Sequence, residues 1–138
     1  MYIYLYTVTI TLNKMSLHES LSQWIKKIEL ENPPPPAITA FNFGMLLSDK
    51  GYMVYLTGAE VYDPDDDDWA GEIDYQPPRA IKYFLIPRDF TKGLKWQGAL
   101  DLVVEWLKEF SAIQPGLFEG RAVTAGFDDG ELITIKNE

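Results

Sequence analysis

The chain contains no cysteine. A disulfide framework, a thiolate nucleophile and thiolate-ligated zinc are therefore excluded, and a reducing, cytoplasmic setting is the expectation. Histidine is almost as scarce. His18 is the single one, so any Ser/His/Asp or Cys/His arrangement would have to run through it, and no G-x-S-x-G elbow accompanies it. Patterns of the G-x-G-x-x-G, P-loop and H-E-x-x-H kinds are missing too, which leaves dinucleotide, nucleoside triphosphate and zincin chemistry without a carrier. We expect no cofactor, no resident metal and no enzymatic use of His18, which reads as a boundary residue beside Glu19. No apolar run reaches the roughly 18 residues a bilayer requires. The opening MYIYLYTVTITLNK has neither a basic n-region nor a small-residue cleavage site, so neither a signal peptide nor a membrane partner is expected. Bases are few as well: 12 Lys and Arg stand against 21 Asp and Glu, and the longest basic cluster is Lys26-Lys27. Binding to nucleic acid through a phosphate-neutralising face is disfavoured.

What is present suits one globular domain spanning residues 1–138, with 46% hydrophobic and 14% aromatic residues. A chain of this size buries roughly two thirds of its unfolded surface and needs no covalent staple. The net charge of -9 is local. Residues 60–74, EVYDPDDDDWAGEID, carry Glu60, Asp63, Asp65, Asp66, Asp67, Asp68, Glu72 and Asp74 with no Lys or Arg, and the rest holds 13 acids against 12 bases. Such a segment favours a basic partner or a metal ion.

Periodicity sets out the elements. Residues 2–12 alternate, with Tyr2, Tyr4, Tyr6, Val8, Ile10 and Leu12 on one face, which predicts a strand. Ser16-Leu17-His18-Glu19 reads as a capping box opening a helix whose apolar face is Leu17, Leu21, Trp24, Ile25 and Ile28. Pro33 to Pro36 stop it. Residues 38–47 and 52–57 predict an antiparallel hairpin, and residues 81–86 a further strand closed by Pro87. A second amphipathic helix opens at Trp96 and is expected to bury Trp96, Ala99, Leu100, Val103, Leu107 and Phe110. Residues 121–127 and 131–136 flank Asp128-Asp129-Gly130, with Gly130 suited to positive φ, as a last hairpin. The expected fold is α+β: a mostly antiparallel sheet of about five or six strands with two helices packed on it, in the order β-α-β-β-β-α-β-β.

The acidic run supplies the candidate site. Asp63, Asp65 and Asp67 share the spacing of the first three EF-hand ligands, but Asp68 stands where the turn needs Gly and Asp74 where a bidentate Glu belongs. An EF-hand is excluded, and a looser calcium site stays open. Trp69 beside these acids has the composition of a binding hot spot, an apolar anchor with carboxylates that steer a cationic partner. Equally, Trp69 with Tyr62 and Tyr75 could fold back and pin the loop on the sheet. The partner-binding set is Asp63, Asp65, Asp66, Asp67, Asp68 and Trp69.

Three segments taken together, Phe41-Asn42-Phe43-Gly44, Tyr55-Leu56-Thr57-Gly58 leading to the acidic run with Trp69-Ala70, and Gly126-Phe127-Asp128-Asp129-Gly130-Glu131-Leu132, resemble small acidic bacterial proteins found as immunity proteins of polymorphic toxin systems. The resemblance implies a cytoplasmic protein that binds and blocks a toxin, often a nuclease, through an acidic face. Three functions follow as expectations. The first is a non-enzymatic inhibitor of a basic protein; the second is a metal or small-ligand protein, or an enzyme, using carboxylates of the same region. The third is a structural module in which the acidic loop is incidental.

Overall fold

The structure, a computed structural model, describes residues 2–138, with side chains from Leu17 onward. Residues 2–12 are not a strand. A single helix, α1, runs from Tyr2 to Glu31, and Ser16 and Glu19 lie inside it rather than capping its start. The reason is continuity: residues 2–31 contain neither glycine nor proline. A helix anchored by packing over Leu17–Ile28 then extends at the cost of one residue per added hydrogen bond, whereas a strand would have to find a sheet edge. The side chains expected to form the buried face of residues 2–12 lie outside those described. At its other end α1 stops as expected, with Asn32 N–H donating to the Ile28 carbonyl (2.9 Å) just before the prolines.

Two strands follow, β1 (Ala40–Ser48) and β2 (Gly51–Ala59), paired antiparallel around the turn at Asp49-Lys50. Gly51 takes the positive φ there (141°), and a Cβ on it would run into the Ile86 carbonyl. Strand β3 (Tyr83–Pro87) pairs antiparallel with β2. A single helical turn, α2 (Arg88–Thr91), leads to α3 (Trp96–Ile113). Strand β4 (Ala122–Phe127) then lies parallel to β1, and β5 (Ile133–Lys136) closes an antiparallel hairpin with it. The fold is therefore α+β, a five-stranded, mostly antiparallel sheet in the order β3-β2-β1-β4-β5 with helices packed on it. The turn between β4 and β5 is closed by Gly130 N–H donating to the Phe127 carbonyl (2.9 Å), and Gly130 does not adopt the positive φ expected of it.

Strand periodicity divides the sheet into two faces. One carries Phe41, Phe43, Met45, Val54, Leu56, Val123 and Ala125, and is covered by Leu21, Trp24 and Ile28 of α1 and Leu100, Val103 and Leu107 of α3, all buried. Trp24 is fixed by its indole N–H, which donates to the Ile81 carbonyl (2.8 Å). Trp96 departs from the expected stripe: as the first residue of α3 it meets Phe127, the last residue of β4, edge-on and stays 51% exposed.

Candidate functional site

The opposite face is built from small residues. Ala40, Asn42 and Gly44 of β1 stand in register with Ala59, Thr57 and Tyr55 of β2 and with Ala122, Thr124 and Gly126 of β4. No helix covers it. Instead the chain leaves β2 at Ala59, folds residues 60–74 across one end, and returns where Tyr75 bridges Gly58 through N–H to carbonyl bonds of 2.8 and 3.1 Å. The three alanines leave a shallow depression, and Trp69 fills it. Its ring packs on Ala40, Ala59 and Ala122 with Tyr62 edge-on at 5.1 Å between centroids, and it is 7% exposed. Of the two roles expected for Trp69, pinning the loop is the one this packing supplies. Tyr75 is also buried, donating its hydroxyl to the Asn32 carbonyl (2.6 Å).

With Trp69 inward, the carboxylates stay outward, and they divide into two groups. Asp63 accepts the Asp65 amide (2.9 Å), and Asp66 caps the 3-10 turn Asp67–Gly71 by accepting the Asp68 amide (2.9 Å). Asp74 accepts the Glu60 amide (2.9 Å), and Asp67 reaches the Leu132 amide (3.1 Å), tying the loop to the β4–β5 hairpin. Glu60, Asp65, Asp68 and Glu72 form no side-chain hydrogen bond among the described residues. None of the eight acids has a Lys or Arg in ion-pair contact there; the pairs present are His18–Glu109 and Lys27–Glu31.

Between the loop and the hairpin lies a cleft of about 590 Å³ whose rim includes Asp67, Asp68, Glu72 and Asp128, with Asn42, Tyr55 and Gly126 beneath and no basic residue in its lining. The two glycines make this floor possible. A Cβ at Gly44 would strike the Tyr55 ring, and one at Gly126 would meet the Glu131 carbonyl oxygen at 2.7 Å. The Tyr55 ring thus lies across Gly44, and its hydroxyl donates to Asp128. Burial, then the bond to the Asp128 carboxylate and that group's negative charge, push the Tyr55 pKa well above the ordinary phenol value. Asn42 is 7% exposed, and its Oδ1 accepts from the Thr124 hydroxyl (2.9 Å). Sequence reading missed Tyr55, Asn42 and Asp128 as members of this site. The signal that could have found them is glycine inside a strand, at Gly44 and Gly126, which marks close approach of other groups.

Asp63, Asp65, Asp66, Asp67 and Asp68 are thus exposed on one segment, and of these five Asp67 and Asp68 reach the cleft rim. No group of three or more His, Asp or Glu among the described residues is placed to hold a metal ion. His18 lies on the other face, against Trp106 and Phe110, with Nε2 3.3 Å from Glu109. No helix among the described residues is long and apolar enough to cross a membrane. Comparison of the chain with protein-family profiles, curated proteins and solved structures gives no match.

Proposed function

We propose that this protein is a non-enzymatic binding protein whose acidic loop and adjoining cleft engage a cationic protein, in the manner of an immunity protein that blocks a basic toxin such as a nuclease. The observation that carries the reading is the state of the eight acids of residues 60–74. They are held side by side with no Lys or Arg in ion-pair contact among the described residues, while Trp69 and four backbone-bonded aspartates fix the segment that bears them. Concentrated like charge opposes the compact state, so its retention on a rigid platform is a cost a cationic partner would relieve. A basic surface docking there gains both steering and charge complementarity.

The experiment is co-expression with the product of the adjacent gene, since an immunity gene sits beside its toxin. Growth arrest by that product should be relieved by the wild-type chain and not by Asp65→Asn/Asp68→Asn/Glu72→Gln, which removes charges that support no internal bond. Relief that is undiminished by the triple variant would refute the acidic face as the contact.

A further inference from the structure

The helix face of the molecule, remote from the acidic loop, carries an open trough. Helices α1 and α3 run side by side in the same direction, since His18 meets Trp106 and Phe110 while Glu29 lies against Gly116, just past the end of α3. Between them lie two adjoining hollows of about 340 and 650 Å³ that share Ser22, Lys26, Phe110 and Gln114. Ile25, Trp106, Phe110 and Leu117 make an apolar floor. Two large aliphatic side chains stand on the lips: Leu30 is 83% exposed and Ile113 is 69% exposed. The charges beside the trough are sorted along α1. His18 is engaged by Glu109 and Lys27 by Glu31, whereas Glu19 and Lys26, about two turns apart on the same side, have no ion-pair partner among the described residues.

We propose that this trough is the self-association surface of the protein, and that its occupant is the same trough of a second copy, docked antiparallel about a two-fold axis near Ser22 and Ile113. Charge complementarity singles out this occupant. An axis passing midway between Glu19 and Lys26 sets each Lys26 opposite Glu19 of the second copy, so one unpaired acid and one unpaired base become two ion pairs, whereas a parallel docking would set Glu19 on Glu19. The same axis brings Ile113 of each copy over Phe110 of the other and removes exposed apolar surface from water. The area suffices. At 1.5 Å per residue and about 10 Å of width each, residues 17–31 and 96–113 present roughly 500 Å², so two copies bury about 1,000 Å² or more, which reaches the size of a specific interface. The charge of residues 60–74 does not oppose this docking, because Trp69 holds that segment on the other face of the sheet. Two sheets and two helix layers, at about 10 Å a layer, keep the acidic loops of the two copies about 30 Å or more apart, several Debye lengths at physiological salt. Both loops stay free, so the proposal does not depend on the cationic-partner reading above.

Sedimentation equilibrium of the full chain from micromolar to millimolar concentration should show a monomer–dimer equilibrium. Ile113→Lys, a change at an exposed position, should weaken the dimer by about thirtyfold or more and leave the melting temperature of the dilute monomer unchanged. Glu19→Lys and Lys26→Glu should each weaken it by about tenfold, because each sets like charges opposite one another. The double variant Glu19→Lys/Lys26→Glu should regain the wild-type affinity, a rescue that follows from this antiparallel pairing. Asp65→Asn/Asp68→Asn/Glu72→Gln should dimerise as wild type does, since those carboxylates lie on the far face. A chain that is monomeric throughout the range overturns the proposal; if the adjacent gene's product then shifts the Trp106 indole N–H in NMR, the trough is a site for a different protein. A dimer indifferent to Ile113→Lys forms through another face, and one that the double variant does not restore is paired in another way. Either result overturns the proposal.

Discussion

Removing the Trp69 side chain should release the acidic loop from the sheet and destabilise the protein by about 3 kcal/mol. A tryptophan buries roughly 150–250 Å², which at about 25 cal/mol per Å² amounts to about 5 kcal/mol. Extended-chain references overstate such burial by roughly 10–40%, bringing the figure to about 3–4 kcal/mol. The cluster under Trp69 is shallow, made of Ala40, Ala59 and Ala122 with Tyr62 at the side. The truncated loop can therefore lift off rather than enclose a void, which places the cost at the lower end of the roughly 3–5 kcal/mol seen when large aromatics are cut to alanine. Urea denaturation followed by far-UV circular dichroism measures it, and the midpoint should fall. The Leu132 amide, held by Asp67 across from the loop, should exchange faster with deuterium than in wild type. Trp69→Phe should recover much of the loss. A change under about 0.5 kcal/mol, the scale of an ordinary surface substitution, would refute the packing argument and return Trp69 to the surface as a contact residue.

Leu107, fully buried in α3, should cost about 2–5 kcal/mol when changed to alanine, read by the same denaturation. His18→Ala should alter stability by no more than about 0.5 kcal/mol and leave the relief of growth arrest intact. Gly44→Ala should displace Tyr55, break its bond to Asp128 and destabilise by about 1–3 kcal/mol, whereas Gly71→Ala, which meets nothing within 4 Å, should pass unnoticed in a melt. The raised Tyr55 pKa predicts a pH dependence of definite sign. The neutral phenol is favoured by folding, so its contribution is complete below pH about 10, the unfolded value, and fades as pH climbs from there toward the folded value. Wild type should lose stability more steeply than Tyr55→Phe across that alkaline range, as followed by denaturation at stepped pH; parallel curves would remove the effect.

The sequence made most of the sheet legible because its strands obey simple local rules. Phe41, Phe43 and Met45 alternate with Asn42 and Gly44, and short turns at Asp49-Lys50 and Asp128–Gly130 force antiparallel hairpins. The parallel placement of β4 beside β1 is a long-range choice made by packing α3 on the sheet, and no local pattern encodes it. Residues 2–12 misled because alternation of aromatic, aliphatic and threonine side chains has the period of a strand, while the outcome depends on whether a helix already formed downstream meets a breaker. Trp96 fits a helical stripe by spacing, but spacing does not say what the helix meets at its first residue. The acidic loop was legible as charge; its cleft was not, because Asn42, Tyr55 and Asp128 come from three separate strands or turns and meet only in the folded sheet.

The most direct test of the acidic face is the association rate of the protein with the adjacent gene's product, measured at several ionic strengths for wild type and for Asp65→Asn/Asp68→Asn/Glu72→Gln. Exposed charges act mainly on encounter and are screened beyond a Debye length of roughly 8 Å at physiological salt. The triple variant should therefore bind more slowly at low salt, show a flatter dependence of on-rate on salt, and melt no lower than wild type. Equal on-rates and equal salt slopes for the two proteins would contradict the acidic face as the surface that recognises a cationic partner.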